Sequence, residues 1–302
     1  MVWKCLAGLV AVVALAGALY QAIAAWDDDR RFPGPGWTVL GHRIYCIGAG
    51  SPTVILEAGL GDGLNEWAQV QPRIAEFSRV CSYDRAGYGA SDPGPMPRTS
   101  AQAAGELHAL LEATGERPPY LLVGHSLGGY NVRVFNGAYP DQVSGIVLVD
   151  SVQEDQYDLL PKSWNAASGA LLRRYRSQAR WAHPFIDLGV ARLTLRLQGA
   201  RGSFAFLQPK FLRTRASELE FIRVSAEQAR HAGGIAGKPL IVLTAGENAD
   251  AEFRKVWVDD LQVRLAHLST KGKRVIVDGA GHDIPHDRPQ AIVDAVRDVA
   301  GR

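Results

Sequence analysis

The feature that most constrains the fold of this chain is an alternation of short apolar runs with longer stretches of helical periodicity. The apolar runs are rich in β-branched and aliphatic residues, which is typical of buried strands. They cover residues 37–40, 42–47, 53–57, 79–84, 119–123, 143–150, 238–246 and 273–279. Because strands that alternate with helices tend to pair in parallel, the pattern predicts a mostly parallel sheet of eight strands with helices on both faces.

The alternation lapses between Ser151 and Gly237. This stretch has helical periodicity and many arginines but no convincing strand, and the runs on either side of it complete one pattern. We therefore expect one α/β domain over residues 32–302, with residues 151–237 as a helical cap inserted between the sixth and seventh strands. The first two apolar runs are separated by a single glycine, which predicts a hairpin.

The composition is that of a folded protein with a sizeable core. The chain has 302 residues, of which 47% are hydrophobic and 21% charged, a balance that argues against disorder. The formal net charge is +2, so the charge gives no reason to expect a nucleic-acid partner. The three cysteines lie far apart and form no zinc-type or redox pair.

The N-terminal segment is apolar enough to interact with a membrane. From Leu6 to Ala25 about twenty residues carry no charge, with Lys4 before them and Asp27–Asp29 after them. A helix of this length can span a bilayer, and the preceding positive charge favours a cytoplasmic N-terminus with the rest exported. Ala22–Ala24 also has the small-x-small form of a cleavage site. We expect residues 1–31 to hold a membrane anchor or a cleaved signal, with a buried core helix as the remaining alternative.

A glycine-rich turn ends the apolar run at 119–123 and leads at once into a helix. Its residues, Gly124-His125-Ser126-Leu127-Gly128, match G-x-S-x-G in the context of strand, turn and helix that a nucleophile elbow requires. Close packing at such a turn excludes a Cβ at the flanking positions, hence the glycines. Ser126 is the candidate nucleophile, and the backbone N–H of Leu127 at the helix start is a candidate oxyanion donor.

A serine hydroxyl needs a general base, and the base needs a carboxylate that fixes its tautomer. His282 is best placed, because it follows the strand 273–278 in a glycine-containing loop at the sheet edge. His286 is the competing base in the same loop. We expect His125, the neighbour of Ser126, to pack or hydrogen-bond locally.

With these pieces in place, the chain resembles the α/β-hydrolase family from Trp37 to its C-terminus. The matching segments, in the family's order, are Glu57–Gly61, Tyr83–Asp92, Gly124–Gly128 and Gly281–His282. The resemblance implies an α/β-hydrolase fold whose helical lid is the insertion at 151–237. It also implies a second oxyanion donor, the backbone N–H of Leu60, although the family's His-Gly pair reads Ala58-Gly59 here.

The family places the acid of its triad at the end of strand six or of strand seven, and this chain offers a carboxylate at each place. Asp150 ends the apolar run 146–149, which would hold it rigidly. Asp250 lies in 246-GENAD-250, one residue farther from its glycine than the usual spacing. We favour Asp150, keep Asp250 as the alternative acid and rank Glu247 third. Either aspartate satisfies the order of nucleophile, acid and base.

In this fold Cys46 and Cys81 would lie on neighbouring strands. They could form a disulfide in an oxidising compartment, but two buried free thiols are the commoner case and the one we expect. Cys5 lies apart from both, in the apolar N-terminal segment.

The insertion mixes large apolar side chains with arginines. If it covers Ser126, an apolar pocket for an acyl or alcohol group is expected; the alternative is that most of these side chains form a small core of the lid itself. They are Tyr157, Leu159, Leu160, Trp164, Trp181, Phe185, Phe204, Phe206 and Phe211. We interpret the arginines as a solvated face and Asp84-Arg85 as a loop that braces the site.

These features predict an exported or membrane-anchored serine hydrolase that cleaves a small carboxylic ester or a similar acyl compound without a metal or organic cofactor. An amide or lactone hydrolase, a thioesterase, an acyltransferase and a perhydrolase would use the same groups. Serine at the elbow argues against epoxide hydrolases and haloalkane dehalogenases, which place aspartate there. A non-catalytic ligand receptor or scaffold on the same fold is the rival of another class.

Overall fold

A computed structural model of the chain describes residues 2–31, 36–177, 186–198, 207–247 and 250–302. Its centre is one eight-stranded sheet. The strands are β1 Trp37–Val39, β2 His42–Ile47, β3 Thr53–Glu57, β4 Val80–Tyr83, β5 Tyr120–His125, β6 Val143–Val149, β7 Leu240–Ala245 and β8 Gly272–Val277. They are arranged in the order β1-β2-β4-β3-β5-β6-β7-β8.

The direction and register of the strands place candidate residues side by side. Strands β3 to β8 pair in parallel with their neighbours, whereas β2 pairs antiparallel with β1 and β4. The predicted mostly parallel sheet and the predicted hairpin are therefore confirmed. At the carboxyl edge, His125 at the end of β5 is paired with Val149 at the end of β6. The residues that follow them, Ser126 and Asp150, leave the sheet as neighbours.

Helices cover both faces of the sheet. They are α1 Val2–Arg31, α2 Gln71–Ile74, α3 Ser100–Thr114, α4 Gly128–Ala138, α5 Gln156–Leu159, α6 Lys162–Ser177, α7 Val190–Leu197, α8 Pro209–Glu220, α9 Ile222–His231, α10 Ala251–Val256, α11 Gln262–Ala266, α12 Ile284–Asp287 and α13 Pro289–Val299. A 3₁₀ turn at Leu64–Trp67 precedes α2, and a π-helical turn at Trp257–Leu261 joins α10 to α11. Helices α5 to α9 lie between β6 and β7, at the position of the expected insertion.

Two apolar cores, one on each face of the sheet, explain why the central strands are continuously apolar. Ile55 of β3 belongs to the core beneath α3 and α4, whereas Val54 and Leu56 belong to the core beneath α2 and α13. Every residue of β3 is buried. A strand covered on both faces has no solvent side, so it reads as an unbroken apolar run rather than as an alternation.

The N-terminal helix α1 is long and apolar enough to cross a membrane. Its stretch Cys5–Trp26 has 22 residues and a mean hydropathy of 2.1, and 6% of its apolar window is buried. This exposure does not bear out the alternative of a buried core helix. The helix contacts the insertion where Nε of Arg192 donates to Oε1 of Gln21 at 3.0 Å.

Cys46 and Cys81 form a disulfide, so the expectation of two free thiols is wrong. The two residues are direct register partners on the antiparallel strands β2 and β4, with their Cα atoms 4.1 Å apart. The fold resemblance implies neighbouring strands, but the register that brings the two sulfurs face to face cannot be read from the sequence. Cys5 on α1 is a free, exposed thiol.

The bridge predicts a differential pattern of thiol labelling. In the denatured but unreduced full-length chain, purified from an oxidising compartment, Cys46 and Cys81 should not react with iodoacetamide, and both should react after reduction. Because the bridge joins residues 35 positions apart, the double variant Cys46→Ser/Cys81→Ser should lose about 3–4 kcal/mol of unfolding free energy. Peptide mapping and urea unfolding provide the readouts, and full labelling before reduction would contradict the bridge.

Candidate active site

Ser126 lies at a tight turn between β5 and α4 that requires glycine two residues before it and two residues after it. Its backbone φ is 51°, in the left-handed region that is strained for a residue with a side chain. A Cβ on Gly124 would lie 2.6 Å from the carbonyl oxygen of Gly128, and one on Gly128 would lie 2.5 Å from that of Glu57. The predicted reason for both glycines, close packing around the serine, is confirmed.

A row of hydrogen bonds runs from Ser126 to Asp150. The Oγ atom of Ser126 lies 3.0 Å from Nε2 of His282, and Nδ1 of His282 lies 2.7 Å from Oδ2 of Asp150. His282 belongs to the loop between β8 and α12, so residues from three separate segments meet here. When Nδ1–H donates to the carboxylate, Nε2 keeps its lone pair for a serine proton.

The carboxylate of Asp150 is buried and held through both of its oxygens. While Oδ2 faces His282, Oδ1 accepts from the backbone N–H of Ala245 and from the indole N–H of Trp257, both at 3.1 Å. The backbone of Asp150 is also constrained, with a φ of 37° and an N–H that donates to the carbonyl oxygen of Leu243 at 2.7 Å. These contacts give the carboxylate a single orientation.

The other candidate acids and base lie apart from this row. Oδ1 of Asp250 accepts from two backbone N–H groups in the first turn of α10, at 2.9 and 3.1 Å, and so caps that helix. Glu247 is exposed. Nδ1 of His286 faces Oδ1 of Asp283 at 2.8 Å. The structure thus brings the favoured acid, and neither of the two alternative acids, to the imidazole next to the serine.

The two backbone N–H groups expected to stabilise an oxyanion lie in segments that flank the serine. A Cβ on Gly59 would lie 3.4 Å from the Cβ of Ser126, so the loop that carries Leu60 packs against the elbow. Leu60 lines the same cavity as Ser126, and Leu127 immediately precedes α4. Among the described residues, neither N–H donates to a protein acceptor. Two backbone donors beside a helix N-terminus suit a developing negative charge.

Arg85 braces the loop that follows β3. Its guanidinium donates to the carbonyl oxygens of Ala58 and Gly59, at 2.6 and 2.7 Å, and pairs with Glu57 at 2.9 Å. On its other side it pairs with Glu218 of α8, also at 2.9 Å. Burial raises the pKa of Glu57, and the charge of Arg85 offsets part of the rise. These contacts match the bracing role expected of this residue and extend it to the insertion.

His125 takes part in a buried ion pair that the sequence does not indicate. Its Nδ1 lies against Oε1 of Glu66, and its Nε2 lies 2.9 Å from the backbone carbonyl oxygen of His282. Burial alone would lower the pKa of His125, but the carboxylate of Glu66 outweighs burial and raises that pKa to about 9. Both partners are distant along the chain, so the hydrogen bonds of His125 are long-range and not local as expected. Glu66 belongs to a short 3₁₀ turn without a motif that could have marked it.

A cavity of about 750 Å³ adjoins Ser126 and His282. It joins them to apolar side chains from the insertion and from the region around α10. These are Val152, Tyr157, Trp164, Leu171, Leu172, Leu219, Ile222, Phe253 and Trp257. The predicted apolar pocket beside the serine is confirmed, and its size is that of a site for a small molecule.

Both interpretations of the apolar residues in the insertion hold in part. Tyr157 and Trp164 line the cavity, whereas Leu160 and Phe211 are buried in separate apolar clusters. Leu159 is exposed. The remaining residues of that set, Trp181, Phe185, Phe204 and Phe206, lie outside the described residues.

Comparison with known sequences places the chain in a family. The sequence model of a family described as alpha/beta hydrolase fold matches residues 52–289. A curated relative, the uncharacterized protein YqjL of Bacillus subtilis, is 26% identical over 260 residues, which make up 85% of this chain and 87% of that protein. For several other curated relatives, the match spans only 14% to 54% of the relative's own length. The chain belongs to the α/β-hydrolase fold family.

Solved structures with the same fold include enzymes. A thermophilic esterase from Thermogutta terrifontis matches with a TM-score of 0.62 and 20% identity, over 86% of this chain and 94% of that one. A putative epoxide hydrolase from Pseudomonas aeruginosa matches with a TM-score of 0.65 and 18% identity, over 87% of this chain and 96% of that one. At these identities the likeness concerns the fold.

The pair of His125 and Glu66 predicts a loss of stability at alkaline pH. The pKa of His125 in the folded chain, about 9, lies above its ordinary value of 6.5. The contribution of the pair is therefore present in full below pH 6.5 and is lost as the pH rises through 9. At neutral pH the parent should exceed Glu66→Gln in unfolding free energy by up to about 3 kcal/mol, and the difference should shrink towards about pH 10. Urea unfolding at the two pH values measures it, and a difference independent of pH would contradict the assignment.

Proposed function

We propose that this protein is a serine hydrolase that cleaves a carboxylic ester or a related acyl compound through an acyl-enzyme. The observation that carries the proposal is the row of hydrogen bonds from Ser126 through His282 to Asp150, at 3.0 and 2.7 Å, next to an apolar cavity. A hydroxyl within reach of an imidazole whose other nitrogen donates to a buried carboxylate is the arrangement that acyl transfer by serine requires.

In the proposed acylation step, Oγ of Ser126 attacks the carbonyl carbon of the substrate while Nε2 of His282 takes the serine proton. Asp150 stabilises the resulting imidazolium through the Nδ1–H hydrogen bond and keeps the ring oriented. The carbonyl oxygen becomes negatively charged and accepts hydrogen bonds from the N–H groups of Leu60 and Leu127. The tetrahedral intermediate then collapses, and His282 passes its proton to the departing alkoxide.

In the proposed deacylation step, a water molecule repeats the sequence in reverse. His282 accepts a proton from the water as the water attacks the acyl carbon, and the same two N–H groups stabilise the second oxyanion. Collapse of this intermediate releases the carboxylic acid and returns the proton to Oγ of Ser126. Every proton transfer uses groups of the chain or water, and the apolar cavity would bind the acyl or alcohol part of the substrate.

Epoxide hydrolysis is less well supported, although four similar solved structures bear that name. The family resemblance implies that an epoxide hydrolase has aspartate at the elbow, whereas this chain has Ser126 there. The serine hydroxyl and the neighbouring imidazole instead suit attack on an acyl carbon.

We also propose that the protein is exported and is anchored by α1, or secreted if that segment is cleaved. The support is the length and hydropathy of Cys5–Trp26 and the disulfide between Cys46 and Cys81, which persists in oxidising compartments. An anchored chain should remain in the membrane pellet after an alkaline carbonate wash, whereas a cleaved chain should be soluble and shorter by the mass of the segment.

Labelling with a fluorophosphonate probe tests the nucleophile. The full-length chain in detergent should be labelled, and Ser126→Ala should not be, because the probe reacts with an activated serine hydroxyl. Ser168→Ala is the matched control, since Ser168 lines the same cavity but forms no hydrogen bond to an imidazole among the described residues. It should be labelled like the parent. Absence of labelling in the parent would favour the receptor over the enzyme, and labelling of Ser126→Ala would reject this serine.

Paired substitutions of the two aspartates test the acid. Asp150→Asn should lower the turnover of p-nitrophenyl butyrate by about 10⁴-fold, because the amide no longer fixes the tautomer of His282. Asp250→Asn should leave turnover near that of the parent, and the asparagine can still cap α10. Activity near the parent level in Asp150→Asn, together with a large loss in Asp250→Asn, would reverse the assignment.

A further inference from the structure

The proposed mechanism leaves one buried ion pair beside the site unused, that of Glu66 and His125. Both residues are buried, with 5% of their surface exposed. Apart from each other, Oε1 of Glu66 and Nδ1 of His125 have no hydrogen-bond partner among the described residues. Removal of either charge would leave the other one buried without compensation, which is costly. A buried ion pair beside the nucleophile is therefore expected to have a role that offsets this cost.

The pair connects the two loops on which the proposed chemistry depends. The second oxygen of Glu66, Oε2, accepts from the backbone N–H of Gly59 at 2.9 Å, in the loop that carries Leu60. On the other side, Nε2 of His125 lies 2.9 Å from the backbone carbonyl oxygen of His282. A continuous path of hydrogen bonds therefore joins the loop of one oxyanion donor to the loop of the base.

With Glu66 ionised, the geometry requires both ring nitrogens of His125 to carry protons. Each of them faces an acceptor: Nδ1 faces a carboxylate oxygen and Nε2 faces a carbonyl oxygen. A neutral imidazole has one N–H, so it could satisfy one of these acceptors and would turn a lone pair towards the other. Only the imidazolium makes both contacts, and Glu66 supplies the compensating negative charge.

The ring of His125 also packs against the base itself. The centroids of the His125 and His282 rings are 4.9 Å apart, with a 40° angle between their planes. The ionisable groups that face the pair come from the loop after β3, from the end of β6 and from the loop after β8. They are Asp62, Asp150, His282 and His286, and Arg85 and Asp283 in turn interact with Asp62. A change in the charge of His125 therefore alters the electrostatic potential at the ring of His282.

We propose that Glu66 and His125 are positioning residues, which hold the His282 loop and the loop of Leu60 in register through the doubly protonated ring of His125. Neither residue touches the reacting atoms in this proposal. It rests on the proposed hydrolase function and adds a regulated element to it: the base is correctly placed only while His125 is protonated. Activity should consequently be lost on the alkaline side when that ring loses a proton.

The test uses the full-length chain in detergent with p-nitrophenyl butyrate as the probe substrate. Glu66→Gln keeps the shape of the side chain and removes its charge, so the second proton of His125 is no longer stabilised. We expect kcat to fall about tenfold or more and KM to change less than about twofold, because the loss concerns the geometry of the reacting groups. The alkaline limb of the kcat profile, near pH 9 in the parent, should move to lower pH in the variant.

Glu106→Gln is the matched control. Glu106 is a largely buried carboxylate on α3 that pairs with Arg98 at 2.6 Å and does not line the cavity. Its substitution also breaks a buried ion pair, so it reproduces the general loss of stability. Both kcat and the position of the alkaline limb should stay close to those of the parent.

His125→Gln provides a second, independent arm. Glutamine can donate one hydrogen bond to the carbonyl oxygen of His282 but does not titrate, so the limb near pH 9 should disappear while kcat falls. If circular dichroism shows that Glu66→Gln does not fold, this variant alone decides. A kcat close to that of the parent with an unmoved alkaline limb would overturn the proposal. A parent that neither hydrolyses the ester nor reacts with the fluorophosphonate would instead overturn the hydrolase function, and the positioning role with it.

Discussion

The parallel register of β5 and β6 is the constraint on which the rest of the site depends. It pairs His125 with Val149, so the next residue of each strand, Ser126 and Asp150, leaves the sheet at the same edge. Both residues have a positive φ, and each N–H is fixed to a neighbouring strand, that of Ser126 to the carbonyl oxygen of Val149 at 3.1 Å. The local strain is therefore held by the sheet, which is among the most deeply buried parts of the fold. His282 needs only to reach this edge from the end of β8.

Buried charged side chains fix the loops around the site, which are not held by strand pairing. Arg85 pairs with Glu57 and Glu218 while it donates to two carbonyl oxygens of the loop after β3. Glu66 and His125 join that loop to the His282 loop through hydrogen bonds to the backbone of Gly59 and of His282. Such groups are expensive to bury, and they add little net stability compared with apolar packing. Their directional contacts instead specify one arrangement of backbone groups, which an apolar cluster would leave free.

The fold and the position of Ser126 could be predicted from the sequence, because both depend on local patterns. The apolar runs and the glycines at 124 and 128 are imposed by burial and close packing, and both are visible in the order of residues. The choice between Asp150 and Asp250 depends on the donors that surround a carboxylate, such as the indole of Trp257, and these come from distant segments. The partnership of Glu66 with His125 and the register of Cys46 opposite Cys81 are likewise properties of tertiary structure.

The proposed mechanism requires a covalent bond between the substrate's acyl group and Oγ of Ser126. The most direct measurement is to quench the full-length chain with acid during turnover of p-nitrophenyl butyrate and to map the peptides by mass spectrometry. The account predicts one added butyryl group, on the peptide that contains Ser126, and its disappearance once the ester is consumed. Turnover with this serine unmodified at every time point, or with the acyl group on another residue, would contradict it.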